Sequence, residues 1–327
     1  MDVKLAILDD YQRLALASAD WERLRSRGVE ISVFHEAFAS LDEAAAKLAP
    51  FDIVCLMRER TAFPRALIER LPKLKLVTLT GARAASLDSQ ALAERRIPVC
   101  HTRGGRGGAS TAELAWGLIV AAARDMEKGM RAMRAGRWHE GVGAGTVLEG
   151  KRLGIVGLGG IGARVASVGK AFGMDVAAWS QNLTREKAAA NGVEYLDKGE
   201  LLANSDVVTI HLVLSERTRG LLGRSELATM KPTAILVNTS RGSIVDEAAL
   251  VAALKAGRPG HAALDVYERE PLPADHSLRA LENVTLTPHL GYVSAENYRL
   301  FYGSTVDNVA AWLDGKPANV LNPEALA

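Results

Sequence analysis

The sequence predicts an α/β protein made of two doubly wound parallel-sheet domains. Three observations carry that prediction. Short apolar segments alternate with helix-forming ones along nearly the whole chain, the pattern of parallel strands covered by helices on both faces. The length, 327 residues, exceeds what a single core usually fills. A glycine cluster at 102–108, Thr-Arg-Gly-Gly-Arg-Gly-Gly, interrupts the alternation and reads as a hinge between domains.

In order along the chain, strands are expected at 4–8, 29–34, 52–57, 74–79 and 97–100, each a short run of Val, Ile and Leu. Helices are expected between them at 21–27 (closed by Gly28), 41–48, 66–71 and 89–95. After the glycine cluster, Ser110-Thr-Ala-Glu113 reads as a capping box opening an apolar helix over 114–123. Residues 126–149 are rich in Arg, Met and Gly and contain Trp138. They read as an arm outside either core, expected to grip a second subunit in a homodimer. A second alternating series follows, with strands expected at 153–156, 176–179, 206–210, 234–237, 261–264 and 284–287. A long helix over 295–313, with Trp312 on an apolar side, is expected to return to the first domain. The expected domains are therefore 1–102 with 294–327, and 103–293.

Composition narrows the classes. Forty Lys and Arg against 38 Asp and Glu give a net charge of +2, spread without a basic block, so nucleic-acid and membrane-surface partners are not indicated. The two cysteines, Cys55 and Cys100, sit in apolar runs, which points to core residues rather than a disulfide framework or a metal site. The N-terminus lacks the regions of a signal peptide, and no apolar run approaches about 18 residues. A cytoplasmic protein is expected.

The chemistry starts at residues 154–162, Gly-Ile-Val-Gly-Leu-Gly-Gly-Ile-Gly. An apolar strand runs into Gly157-x-Gly159-x-x-Gly162 and then a helix. Gly157 permits the tight turn, Gly159 lets a pyrophosphate approach the backbone, and Gly162 lets the helix pack on the sheet. The helix N-terminus, with Gly160 and Ile161, presents free N–H groups to phosphates. Three further positions follow expected strand ends, where open α/β sheets bind ligands: Arg241, Glu270 and His289. Each alone is as readily a turn residue, a capping carboxylate or a loop histidine. Together they set a cation, an acid and a histidine on the edge that carries the glycine loop.

These motifs resemble the D-isomer-specific 2-hydroxyacid dehydrogenase family. The likeness is densest over 148–162, 230–246, in Ala263-Leu-Asp-Val-Tyr-Glu-Arg-Glu-Pro-Leu-Pro273 and in Leu286-Thr-Pro-His-Leu-Gly291. The resemblance implies a flavodoxin-like substrate domain beside a Rossmann dinucleotide-binding domain, with the active site in the cleft between them. It places the family's catalytic Arg, Glu and His on Arg241, Glu270 and His289. A hydride would pass between NAD(P)H and C2 of a small 2-keto or D-2-hydroxy acid, as in a glyoxylate or hydroxypyruvate reductase. His289 would give the alkoxide its proton, with Glu270 orienting the ring and favouring its charged form. Arg241 would grip the substrate carboxylate.

The resemblance extends to binding residues. Gly81, Ala82 and Arg83 fall on the loop whose backbone holds the substrate carboxylate, with Arg83 where many members carry a small residue. By their place after the strand ending at Met57, Arg58 and Arg60 are further candidate pocket cations, with surface charges as the alternative. His211, Leu212, Thr239, Asp265, His289 and Gly291 fall on dinucleotide-lining positions, with Val213 in place of a usual proline. After the second strand, Ser180-Gln-Asn182-Leu-Thr-Arg185 offers no carboxylate for a ribose 2′-OH, which suggests that NADP is accepted. Two other functions compete: a dinucleotide-sensing corepressor of the same fold, and methyl transfer from S-adenosylmethionine. Within the family, phosphoglycerate dehydrogenase is the alternative.

Overall fold

Five strands form the first sheet of the computed structural model, which describes residues 3–81, 86–102 and 107–327. They are β1 (Val3–Ile7), β2 (Val29–Val33), β3 (Ile53–Leu56), β4 (Leu76–Leu79) and β5 (Val99–His101). All pairs are parallel, in the order β2-β1-β3-β4-β5, the flavodoxin-like winding. Residue choice explains the positions. β3 and β4 read Ile-Val-Cys-Leu and Leu-Val-Thr-Leu with every residue buried, as strands covered on both faces require. β2 lies at the edge and is fully buried only at Val29. Ser40 and Asp88 cap the helices Leu41–Leu48 and Ser89–Glu94 by accepting the N–H of Glu43 and Ala91.

The helix Ala295–Leu313 packs in this same unit. Asn308 donates to the His101 carbonyl at 3.0 Å. Asn322 accepts from the Val99 N–H at 2.8 Å and donates to the Ile97 carbonyl at 3.0 Å. The end of the chain is thereby stitched to β5 by paired backbone groups that an edge strand would otherwise leave to water. The chain divides into two units, Met1–Arg106 with Val293–Ala327, and Gly107–Tyr292.

The second unit holds seven parallel strands: β6 (Arg152–Val156), β7 (Asp175–Trp179), β8 (Glu194–Tyr195), β9 (Val207–Ile210), β10 (Ile235–Asn238), β11 (His261–Leu264) and β12 (Val284–Leu286). Their order is β12-β11-β10-β9-β6-β7-β8, the dinucleotide-binding winding with one strand added. Six of these strands are legible in the sequence. β8 is a two-residue edge strand, too short to leave a periodic signal. Separate apolar clusters cover the two faces. One is built on Trp116, Ile119, Ile155, Val165 and Val237, the other on Val156, Ile210, Leu227, Leu236 and Leu264.

One expectation fails here. The helix runs over Gly107–Ala123, so Ser110 lies inside it and is not a cap. The Ser110 and Thr111 hydroxyls instead both donate to the Gly291 carbonyl at 2.9 Å. A tertiary bond replaces the local one that the capping-box spacing suggests. The helix Met126–Arg134 follows, then a largely irregular stretch to 148. Among the described residues no helix is long and apolar enough to cross a membrane.

Candidate active site

β6 delivers the glycine loop. Gly157 has φ +106°, and a Cβ there would stand 2.5 Å from the His211 carbonyl oxygen. A Cβ on Gly162 would fall onto the Gly157 carbonyl oxygen. Both positions therefore need glycine for packing. Gly159 and Gly160 differ: a Cβ on either meets no atom within 4 Å. They form an open rim at the start of the helix Gly160–Ala171, whose N-terminus has no side-chain cap. Its unpaired N–H groups and dipole suit an anion. Ile161 packs into the core behind them.

Across the loop, His211 Nε2 lies 2.9 Å from Thr209 Oγ1. Its Nδ1 is buried with no partner among the described residues, as is Thr239 Oγ1 after β10. Burial pushes the His211 imidazole down to about 4, so the ring is neutral. An open glycine rim, a helix N-terminus and two orphaned buried polar atoms on the same sheet edge fit a dinucleotide. Leu212 lines the turn beside Gly157 and Val213 is exposed. After β7, Ser180 is half-buried while Asn182 and Arg185 are exposed. The Arg185 guanidinium stacks 4.9 Å from the centre of the Tyr195 ring.

β10, β11 and β12 are neighbours, and the loops that leave them carry Arg241, Glu270 and His289. Glu270 and His289 meet: Glu270 Oε2 lies 2.6 Å from His289 Nδ1, and Glu270 Oε1 accepts the Tyr267 N–H at 2.9 Å. Burial opposes the Glu270 charge. The His289 bond and charge, the Tyr267 N–H and the Arg241 charge outweigh it, holding the carboxyl below its ordinary value. His289 sits at φ +54°, a costly conformation for a residue with a Cβ. Asp265 imposes it. This fully buried carboxylate accepts from Thr287 Oγ1 at 2.6 Å, Leu290 N at 2.7 Å and Gly291 N at 2.8 Å. Burial nevertheless raises the Asp265 pKa.

Arg241 is set by its strand end. Asn238 donates to its carbonyl and accepts from Ser240 N, both at 3.0 Å, and Ser240 Oγ donates to the Ile210 carbonyl at 2.8 Å. Gly291 has its N–H on Asp265 and its carbonyl on Ser110 and Thr111. Any role of Gly291 toward a ligand rests on its missing side chain.

In the first unit, Arg58 and Gly81 follow β3 and β4. Gly81 has φ +86°, and a Cβ there would fall inside the Arg58 guanidinium. The Gly81 N–H donates to Thr102 Oγ1 at 2.8 Å. Arg60 is tied elsewhere, donating to the Asp9 carbonyl at 2.6 Å and to Gln12 Oε1 at 3.3 Å, with its guanidinium over the Tyr11 ring. Ala82 and Arg83 lie outside the described residues.

Residues 116–291 match the family model described as D-isomer specific 2-hydroxyacid dehydrogenase, NAD binding domain. The chain belongs to that family. It is 41% identical over 268 residues to a glyoxylate reductase of Aeropyrum pernix, covering 80% of each chain. It is 36% identical over 256 residues to a hydroxypyruvate reductase of Thermotoga maritima, covering 77% of this chain and 82% of that one. A solved phosphoglycerate oxidoreductase from Vibrio cholerae superposes with TM-score 0.90 at 36% identity, covering 96% of this chain and 99% of that one. As a D-2-hydroxyacid dehydrogenase, the chain is an NAD(P)-dependent oxidoreductase.

Sequence reasoning missed the residues around the Glu270–His289 pair. Gly242, Tyr267, Asn238 and Ser240 carry no charge to attract notice. A Cβ on Gly242 would fall into the backbone of Tyr267. One signal was available for Asn238: a polar residue closing an otherwise apolar buried strand needs partners.

Proposed function

We propose that this dehydrogenase reduces glyoxylate to its achiral 2-hydroxy acid or hydroxypyruvate to the D-2-hydroxy acid, with His289 as proton donor. The observation that carries the proposal is the 2.6 Å bond from His289 Nδ1 to Glu270. A carboxylate on Nδ1 requires that nitrogen to carry a proton, which leaves Nε2 to exchange one with substrate. No described residue bonds to Nε2. The relatives named glyoxylate reductase and hydroxypyruvate reductase support the substrate class.

Gly157, Gly159, Gly160, Ile161 and Gly162 would hold the pyrophosphate, and His211, Leu212, Thr239, Asp265 and Gly291 would line the rest of the dinucleotide. A reduced dinucleotide held by these residues would supply the hydride for C2. His289 Nε2 delivers the proton that the C2 oxygen needs, and Glu270 steadies the imidazolium before delivery. Arg241 pairs with the substrate carboxylate through its planar fork and stabilises charge growing on the C2 oxygen. Within the first unit, Arg58 beside Gly81 is a cation suited to an anionic ligand.

Ser180, Asn182 and Arg185 offer two hydrogen-bonding side chains and a cation, and no carboxylate. That set favours acceptance of a ribose 2′-phosphate, hence NADP. Arg58 supports a second reading, a doubly anionic substrate such as phosphoglycerate. A homodimer is proposed through residues 126–149, where Met126, Met130 and Met133 are exposed at helical spacing and Trp138 and Val147 follow them.

Loss of reduced-nicotinamide absorbance tests the proposal, with NADH and NADPH each offered glyoxylate, hydroxypyruvate, pyruvate and phenylpyruvate. The expected result is highest kcat/KM for glyoxylate or hydroxypyruvate, with NADPH used at least as well as NADH. Tight dinucleotide binding without turnover of any keto acid would refute it.

A further inference from the structure

The loops that carry Arg241, Glu270 and His289 converge on one residue. Tyr267 lies in the loop after β11. Its N–H donates to Glu270 Oε1 at 2.9 Å. Its hydroxyl lies 2.9 Å from the Thr287 carbonyl and 3.1 Å from the Leu264 carbonyl. Thr287 is two residues before His289, and the His289 N–H donates back to that same Thr287 carbonyl at 3.1 Å. On the third side, Gly242 comes so close to the Tyr267 backbone that no side chain fits between them, and Gly242 is bonded to Arg241. The ring itself is buried in the cluster with Leu264, Leu278 and Ile244. Burial, then the Asp265 and Glu270 carboxylates, push the phenol up, so the hydroxyl remains a donor.

We propose that Tyr267 is a positioning residue for the reaction, its hydroxyl pinning the His289 loop to the Glu270 loop while its backbone seats the Arg241 loop. This rests on the reading of Glu270 and His289 as the acid pair. His289 occupies a left-handed conformation that its loop must enforce, and a proton donor displaced by a fraction of an ångström loses reach. Phenylalanine would fill the same space and keep the Gly242 contact and the backbone bond to Glu270. It would remove only the hydroxyl, whose one proton is shared between the Thr287 carbonyl at 2.9 Å and the Leu264 carbonyl at 3.1 Å.

Tyr267→Phe isolates that hydroxyl. The expected result is a kcat about tenfold lower, the size of effect that slight misplacement of a reacting group produces. KM for the keto acid and the dinucleotide affinity should stay within about twofold, since neither binds through the phenol. Rates are normalised to the dinucleotide-binding fraction, so partial unfolding cannot mimic the effect. If the tie acts through the pair, Tyr267→Phe should add little in a Glu270→Gln background, a non-additivity that mere loss of stability does not generate. A wild-type kcat in Tyr267→Phe, or a full tenfold loss repeated in the Glu270→Gln background, would overturn the inference. His289→Asn on the same assay separates the two levels. If it keeps turnover, the acid-pair reading fails; if it abolishes turnover while Tyr267→Phe is silent, only the role of Tyr267 fails.

Discussion

The second unit contains two histidine–glutamate pairs, and what tells them apart is the ring nitrogen that each carboxylate leaves over. Glu247 accepts from His276 Nε2 at 3.0 Å and from the Glu268 N–H at 3.1 Å. Glu270 bonds His289 Nδ1 at 2.6 Å and accepts the Tyr267 N–H at 2.9 Å. Each carboxylate thus takes one imidazole and one backbone N–H from the same short loop. Exposure does not separate the histidines either, at 22% and 23% of their side chains. The other ring nitrogen does. His276 Nδ1 accepts the Leu278 N–H at 3.3 Å and caps the short helix Ser277–Ala280. Protonating that nitrogen would cost the cap. Nε2 of His289 has no partner among the described residues, so that nitrogen is open to a substrate. A histidine–carboxylate pair is therefore no sign of chemistry until both nitrogens are accounted for.

The comparison is broken most directly by exchanging each histidine for asparagine. His289→Asn is expected to lower kcat by about 10²–10⁴-fold, the usual worth of acid–base catalysis. His276→Asn should leave kcat within about twofold and cost about 1 kcal/mol of stability, one lost hydrogen bond. Initial rates and thermal unfolding of the two variants measure this. Comparable losses of kcat would erase the distinction.

His211 sharpens the comparison with a smaller effect. It too has a nitrogen without a partner among the described residues, but no carboxylate holds the other, and burial lowers its pKa to about 4. The sign follows. Above an unfolded value of about 6.5 both states are neutral. As pH falls from there toward 4, the unfolded chain gains a proton that the folded chain does not, so stability falls. His261 acts the same way, also lowered to about 4, chiefly by burial. For His211 the expected loss at pH 5 relative to pH 7 is about 2 kcal/mol. The dinucleotide-free His211→Asn variant should therefore show a shallower drop in Tm between pH 7 and pH 5 than the parent. Parallel curves would contradict a buried neutral His211.

The fold was legible because its strands are short, apolar and buried on both faces, a pattern that survives in a single sequence. Leu41–Leu48, His261–Leu264 and Ala295–Leu313 fall where the apolar pattern and the caps put them. The glycine loop was legible for a steric reason, since Gly157 and Gly162 admit no side chain. What stayed hidden was whatever depends on a bond between distant residues. Ser110 carries the spacing of a cap yet bonds Gly291 across the unit. Arg60 reads as a candidate pocket cation, and only the structure shows its guanidinium bonded to the Asp9 carbonyl and Gln12. Tyr267 looks like core and is also the tie between two loops. His276 and His289 cannot be told apart by residue type, because the partner of the second nitrogen is set in three dimensions.

The central claim is that a hydride and a proton reach C2 and its oxygen of a 2-keto acid, the proton from His289. Reduction of hydroxypyruvate with a reduced dinucleotide carrying deuterium at both positions of nicotinamide C4 is the decisive test. Deuterium is expected on C2 of a product of D configuration alone, formed by the wild type and about 10²–10⁴-fold more slowly by His289→Asn. A product of L configuration, deuterium absent from C2, or an undiminished rate in His289→Asn would contradict it.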